Sequence, residues 1–129
     1  MRNFRNLNIW QQGIELVTYV YEVAAQLPKE EKYGIASQIC RASVSIPSNI
    51  AEGCSRNSDI EYKRFLEIAL GSAFELETQL VIIQKLRFIN SDSLEKIFDL
   101  LTIEQKMVNN LISKIKDDTS SFTRPIAKS

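Results

Sequence analysis

Apolar residues recur every three or four positions along most of the chain, which is the spacing of one face of an α-helix. The first such stretch covers about residues 7–27 and ends before Pro28, because proline disfavours helical geometry in the residue that precedes it. The second covers about residues 33–53, and Gly53 at its end is a typical C-terminal stop. These stretches predict two long amphipathic helices joined by a short charged connector.

Two further stretches, at about residues 58–87 and 91–116, show the same period. Ser58 and Glu61 form a capping box, in which each side chain satisfies a backbone N–H that the first helical turn leaves unpaired. In the fourth helix the apolar positions form the seam of antiparallel bundle packing, and Glu104 falls in that seam. We expect Glu104 to lie at the edge of the seam with its carboxylate in solvent.

No Gly/Ser linker, internal repeat or alternating strand pattern divides the chain. Residues 1–116 are therefore predicted to form one all-α domain, an antiparallel up-and-down four-helix bundle. Residues 117–129 are polar and aperiodic, contain Pro125, and are interpreted as a disordered C-terminal tail. The N-terminus lacks the apolar segment of a signal peptide and no apolar run is long enough to span a membrane, so a cytoplasmic protein is expected.

The first three helices have more apolar surface than one neighbouring helix can cover. Besides its main stripe, each has a second set of apolar or small residues on another part of its circumference. A helix with two apolar faces packs between neighbours, so the surplus predicts self-association into an oligomer. The second sets are Trp10, Ile14, Val17 and Tyr21 in the first helix; Cys40, Val44, Pro47 and Ala51 in the second; and Leu66, Leu70, Phe74 and Val81 in the third.

The composition excludes most of the common catalytic chemistry. The 129 residues include no histidine and only two cysteines. Without an imidazole there is no Ser-His or Cys-His nucleophile and no His-ligated metal. Neither of the common glycine-rich phosphate-binding motifs is present. We therefore expect no enzymatic activity, no metal, no cofactor and no small-molecule substrate.

The charges of the chain are balanced, with 16 Lys and Arg against 16 Asp and Glu. This balance argues against nucleic-acid binding driven by a large positive excess. A local group of basic residues nevertheless surrounds the start of the third helix, with Asp59 and Glu61 among them. It predicts either a solvated, partly self-neutralised helix end or a weak phosphate-binding patch that an oligomer would repeat. The candidate nucleic-acid contacts are Arg41, Arg56, Lys63 and Arg64.

One side of the second helix is polar over about 80°, at about 100° per residue, and carries Arg41, Ser45, Ser48, Asn49 and Glu52. Arg41 and Glu52 lie about 16 Å apart along the axis, too far to pair within the helix. Polar groups beside a face of small residues indicate a hydrogen-bonded contact that fixes the register of two helices. A ligand site is the alternative.

Two motifs in the chain are specific enough to suggest a family. Residues 41–53 read R-A-x-x-S-I-P-S-N-I-A-E-G, and residues 71–77 read G-S-A-x-E-L-E. With Ile9-Trp10-Gln11 and Tyr33-Gly34-Ile35, they resemble the bacterial four-helix-bundle proteins called 23S rRNA intervening-sequence proteins. The resemblance covers residues 4–116. Its motif positions in this chain are Arg41, Ala42, Ser45, Asn49, Glu52, Gly53, Gly71, Ser72, Glu75 and Glu77.

The resemblance implies an up-and-down bundle that assembles as a ring-like homopentamer and has no established enzymatic activity. Genes of this family often lie within rRNA genes. The accessory variability protein of diversity-generating retroelements, which is basic and binds a reverse transcriptase and nucleic acid, looks like a relative. The motif residues are then interpreted as structural or interface residues, with Ala42 and Gly71 at close helix contacts that a leucine would overpack.

Two hypotheses about function follow from the sequence. The first is a non-catalytic, homo-oligomeric scaffold or adaptor protein. The second is an accessory protein that binds RNA or DNA weakly through the basic group, repeated around the oligomer.

Overall fold

Residues 2–128 fold into four α-helices, each longer than four turns. The structure is a computed structural model that describes the backbone of residues 2–128 and the side chains of residues 2–118. The helices are α1 (Asn8–Gln26), α2 (Ile35–Cys54), α3 (Asp59–Leu86) and α4 (Asp92–Lys128). Short 3₁₀ turns at Phe4–Asn6 and Lys29–Glu31 precede α1 and α2. No strand occurs between residues 2 and 128, so the predicted all-α class is confirmed.

The helices pack in sequence order around a common core. Each helix contacts the next one along the chain, and α4 returns to contact α1. Within residues 2–128, the backbones of α1 and α3 do not approach each other closely, and neither do those of α2 and α4, so these pairs lie diagonally across the bundle. Connections this short place consecutive helices antiparallel, which confirms the predicted four-helix bundle.

Local signals at the helix ends agree with the structure. The backbone N–H of Glu61 donates to Ser58 Oγ at 3.2 Å, as the capping box predicts. Helix α3 ends at Arg87, which has a left-handed φ of 57° and donates its N–H to the carbonyls of Ile83 and Gln84. Before α4, the side chain of Asn90 accepts from the N–H of Asp92 at 3.0 Å.

The core consists of one stripe from each helix, as the periodicity predicts. In α1, the buried residues Ile9, Gly13, Leu16, Val20 and Val23 are those of its predicted main stripe. Isoleucine and alanine positions of α2 meet leucine, isoleucine and alanine positions of α3, all with almost no exposed surface. Burying a Leu or Ile side chain contributes roughly 1.5–3 kcal/mol each, so these stripes supply most of the driving force for folding.

The predicted second stripe of α3 is wrong in its position. Leu66, one of its members, is completely buried in the core. The exposed apolar residues of α3 lie instead on the side that faces away from the bundle, and Phe74 is the member shared with the prediction. The core of the bundle takes up a wider arc of α3 than the sequence pattern suggested, because α3 packs against both α2 and α4.

Helix α4 extends further than predicted. The sequence predicts its end near Lys116, whereas the helix continues to Lys128. No glycine or proline interrupts residues 92–124, so nothing in the backbone chemistry stops the helix at Lys116. The prediction of a disordered tail over 117–129 falls mainly on residues 119–129, whose side chains lie outside the described part of the structure.

Candidate functional site

The motif in α2 forms a polar contact with α3. Ser45 Oγ and Ser72 Oγ share a hydrogen bond of 2.8 Å between the two helices. The side-chain amide of Asn49 donates to the Ser45 carbonyl at 2.8 Å and to Ser45 Oγ at 2.9 Å. Ser45, Asn49 and Ser72 are all half-buried, so a slip of α3 along α2 would leave hydroxyl groups without partners. This group therefore fixes the register of the two helices.

The small residues Gly53 and Ala42 lie where α2 runs through the core. Ala42 is 2% exposed, and Gly53 is buried. A Cβ added to Gly53 would lie 2.9 Å from Phe65 Cβ and 3.1 Å from Tyr62 Cδ1, so only glycine lets the end of α2 approach α3 this closely. Gly71 differs, because a Cβ there would meet nothing within 4 Å among the described residues. The expectation of a close helix contact at Gly71 is therefore wrong within one chain.

The contrast between Gly53 and Gly71 gives a matched prediction. Gly53→Ala should lower the free energy of unfolding by about 1–3 kcal/mol, because the new methyl group overpacks the α2–α3 contact. Gly71→Ala is the control, and should leave stability unchanged or raise it by up to about 1 kcal/mol, since alanine favours helix and the site is open. Urea denaturation at one protein concentration measures both. A Gly53→Ala variant as stable as Gly71→Ala would contradict the tight contact.

The acidic motif residues lie apart from one another. Glu52 is exposed and pairs with Arg56 at 3.1 Å, one turn further along the chain. Glu77 is half-buried and accepts from the side-chain amide of Gln105 at 2.8 Å, which links α3 to α4. Glu75 is exposed on α3. These carboxylates do not converge, and among the described residues no group of three or more Cys, Asp or Glu side chains is arranged to hold a metal ion.

The structure brings together only part of the predicted basic group. Arg56 and Arg64 line one hollow of about 310 Å³ together with Glu61, Phe65 and Ile68. The Arg56 guanidinium lies 4.8 Å from the centre of the Phe65 ring, in addition to its pairing with Glu52. Arg41 is exposed but lies fifteen residues earlier, about 22 Å away along α2. Lys63 is half-buried on α3. The patch therefore consists of two arginines beside two carboxylates.

Arg2 anchors the residues before α1 to the turn between α2 and α3. The sequence analysis did not predict this role. Its guanidinium lies 4.1 Å from the centre of the Tyr62 ring, pairs with Asp59 and donates to the Arg56 carbonyl at 3.2 Å. Beneath it, burial raises the pKa of Tyr62 to about 12 and raises the pKa of the Cys54 thiol. Both groups are thus neutral at physiological pH and act as packing residues.

Glu104 is the largest departure from the sequence prediction. Its side chain is 0% exposed rather than at a solvated edge. Neither carboxylate oxygen has a hydrogen-bond partner among the described residues. Burial raises the pKa of Glu104 to about 8, so the carboxyl group is protonated at pH 7. The signal that the sequence offered was the position of Glu104 in the apolar seam of α4.

The space for Glu104 comes from α1. A Cβ on Gly13 would lie 3.2 Å from Glu104 Oε2 and 3.4 Å from Pro47 Cβ. Because glycine has no side chain, Glu104 of α4 and the Pro47 ring of α2 can both lie close to α1 at this position. The carboxyl group is enclosed there, so it is inaccessible to a substrate.

Among residues 2–118, two exposed apolar surfaces lie along the outer sides of α1, α2 and α3. The first, the α3 ridge, runs along the outer side of α3 and consists of Ile60, Ile68, Phe74, Ile82 and Leu86, which are 42–65% exposed. The second, the α1–α2 groove, has a volume of about 300 Å³ and lies between the outer sides of these helices. Its lining includes Trp10, Ile14, Val17, Val44, Pro47 and Ala51, members of the second sets predicted for α1 and α2.

Comparison with known proteins agrees with this fold. The sequence profile described as 23S rRNA-intervening sequence protein matches residues 5–110. A crystal structure of a protein of unknown function from the S23 ribosomal protein family of Bacteroides thetaiotaomicron is 26% identical in sequence. It superposes with a TM-score of 0.75, covering 81% of this chain and 97% of that one.

No curated protein matches the chain. None of the four described helices is long and apolar enough to cross a membrane. The chain belongs to the family of 23S rRNA-intervening sequence proteins.

Proposed function

We propose that this protein is a non-catalytic scaffold or adaptor that works as a homo-oligomeric ring of five copies. The observation that carries the proposal is the pair of uncovered apolar surfaces, the α3 ridge and the α1–α2 groove. Five Ile, Leu and Phe side chains on the outer side of one helix are 42–65% exposed, and exposed apolar side chains grouped on one face are typical of surfaces that contact another protein chain.

The arrangement of the helices favours a ring over a two-fold dimer. Because α1 and α3 lie diagonally across the bundle, the ridge and the groove are on different faces of one protomer. A contact between unlike surfaces passes from each copy to the next and closes into a ring when the rotation fits. The number five comes from the resemblance to the family.

The interior of the bundle supports a non-catalytic role. The carboxyl group whose pKa is raised furthest, that of Glu104, lies enclosed in the core without a path to a substrate. The chain has no histidine to act as a base. A scaffold needs neither an accessible carboxyl group nor a histidine base, because its function depends on the surfaces that are repeated around the ring.

Light scattering coupled to size exclusion tests the proposal directly. At micromolar concentration we expect one species with five times the 14.7 kDa mass of the chain. A single monomeric species would overturn the assembly. A dimer would overturn the ring, because a two-fold contact pairs one surface with the same surface of the second copy.

A second candidate function is weak binding of RNA or DNA. The observation that favours it is the hollow lined by Arg56 and Arg64, in which the Arg56 guanidinium lies over the aromatic ring of Phe65. An arginine beside an aromatic ring is a common arrangement for contacting phosphate and base together. Glu52 and Glu61 oppose this binding at each copy, so affinity would depend on repetition around the ring.

Salt dependence distinguishes this second candidate. If the ring binds a single-stranded RNA, Arg56→Ala with Arg64→Ala should weaken binding and reduce the salt slope by about 0.7 for each phosphate that the variant no longer neutralises. Lys106→Ala with Lys114→Ala on α4 removes the same charge and is the control. Fluorescence anisotropy with a labelled oligonucleotide is the measurement. No binding at about 50 mM salt would eliminate the candidate.

A further inference from the structure

A separate groove, which we call the connector groove, lies at the end of the bundle where α1 passes into α2. It has a volume of about 710 Å³, within the usual range for small-molecule sites. Its floor consists of small and apolar residues, mainly alanines of α1 and α2 together with Leu27. Its lining shares no residue with the α1–α2 groove or the α3 ridge, although Tyr21 and Cys40 belong to the second apolar sets of α1 and α2.

The charged residues that line the connector groove are all basic. Lys29 and Lys32 line it, and no acidic residue does. Glu30 and Glu31 belong to the same connector but lie outside the lining. Neither lysine forms an ion pair with a described residue, and the Lys32 ammonium lies 5.4 Å from the centre of the Tyr33 ring. An anionic group at this end would therefore meet two positive charges without an opposing carboxylate.

The walls of the groove are aromatic. Tyr33 is 89% exposed, which makes it the most exposed large apolar side chain in the described part of the structure, and Tyr21 is 51% exposed. Cys40 lies at the far end of the floor and lines the groove together with Tyr21. From the start of α2 to Cys40 the helix rises about 7.5 Å, so the groove suits a body the size of a fused aromatic pair or a short acyl chain.

We propose that the connector groove binds a small organic anion, with its charged group between Lys29 and Lys32 and its flat apolar body between Tyr21 and Tyr33 over the alanine floor. The chemical class is a carboxylate or similar monoanion on an aromatic or short aliphatic body. The sequence predicted no small-molecule ligand, because Lys29, Lys32 and Tyr33 fall in a connector without a recognisable motif.

Cys40 provides a measurement specific to this groove. Naphthoate is the probe, and its neutral analogue naphthamide is the matched control ligand. At a probe concentration of about ten times its dissociation constant, we expect naphthoate to slow the reaction of Cys40 with N-ethylmaleimide about tenfold. Peptide mass spectrometry assigns the labelled cysteine, and buried Cys54 serves as the internal reference. Naphthamide should bind at least about tenfold more weakly, which corresponds to about 1.4 kcal/mol, so at the same concentration it should slow the reaction at most about twofold.

Two charge variants complete the test. Lys29→Gln with Lys32→Gln should abolish the difference between naphthoate and naphthamide, whereas Lys106→Gln with Lys114→Gln on α4 should preserve it. No protection of Cys40, equal protection by both ligands, or a difference between the two ligands that survives in the Lys29→Gln and Lys32→Gln variant would each overturn the proposal. One further result would overturn the proposal: Cys40 reacts slowly without ligand in the wild-type chain but fast in the Phe74→Glu variant, in which the ring is broken. That result would mean that a second copy of the chain covers the groove in the ring.

Discussion

Glu104→Leu should raise the free energy of unfolding at pH 7 by about 3 kcal/mol, an unusually large stabilisation for one substitution. In the folded chain the pKa of Glu104 is raised to about 8 from an ordinary value of 4.5. At pH 7 the unfolded chain releases this proton while the folded chain keeps it, so ionisation favours unfolding. Leucine has no proton to release, and it leaves no polar atom unpaired in the core.

The same substitution should change how stability depends on pH. Because the pKa of Glu104 is raised on folding, its contribution to stability is fully present below about pH 4.5 and is lost as pH rises through about 8. The wild-type chain should therefore lose up to about 1.4 kcal/mol of stability per pH unit within that window, relative to Glu104→Leu. Above about pH 8 the difference between the two chains should become constant.

Denaturation curves at several pH values and one fixed protein concentration measure both effects. Glu104→Gln is a nearly isosteric second variant, which removes the ionisation but keeps a polar group in the core. Glu95→Gln, at an exposed position of the same helix, is the control and should follow the wild-type pH dependence. Parallel pH profiles for wild type and Glu104→Leu would mean that the carboxyl group has a partner in solution and is ionised when folded.

Phe74→Glu should dissociate the proposed ring into monomers that keep their helical fold. Phe74 lies in the α3 ridge with half of its surface exposed, so the isolated bundle tolerates a charge there. In an assembly, loss of a buried phenylalanine costs roughly 1.5–3 kcal/mol, and an unpaired charge in its place adds a desolvation penalty. Every interface around the ring has this substitution, so the cost recurs at each one.

Sedimentation velocity gives the molecular mass, and circular dichroism confirms that the helices remain. Asn109→Glu introduces the same charge at an exposed position on α4, away from both apolar surfaces, and should leave the assembly unchanged. An intact oligomer with Phe74→Glu would exclude the α3 ridge from the interface. Loss of helical signal instead of dissociation would show that Phe74 stabilises the protomer itself.

The sequence predicted well those features that depend on local chemistry. The capping box at Ser58 and the stripe of α1 from Ile9 to Val23 follow from hydrogen-bonding groups and a helical period, both readable within one segment. The α1–α2 groove follows in the same way, because its residues are the second apolar sets of two consecutive helices.

The features that the sequence missed depend on which helices meet in space. Glu104 is buried because α1 offers Gly13 opposite it, and the two residues are far apart in the chain. The α3 ridge was misplaced because α3 packs on two neighbours, and a single-helix pattern does not show how wide the covered arc is. The position of Arg2 depends equally on the fold, because Tyr62 and Asp59 hold it beyond the α2–α3 turn.

The close approach of Glu104 to Gly13 also limits how this protein can diverge. A methyl group at position 13 would lie 3.2 Å from Glu104 Oε2, closer than most Cβ contacts, so we expect substitutions at the two positions to be coupled. Among descendants of this chain, an alanine or larger residue at position 13 should be accompanied by a shorter side chain at position 104. Related sequences should therefore show paired substitutions at positions 13 and 104, one in the first helix and one in the last.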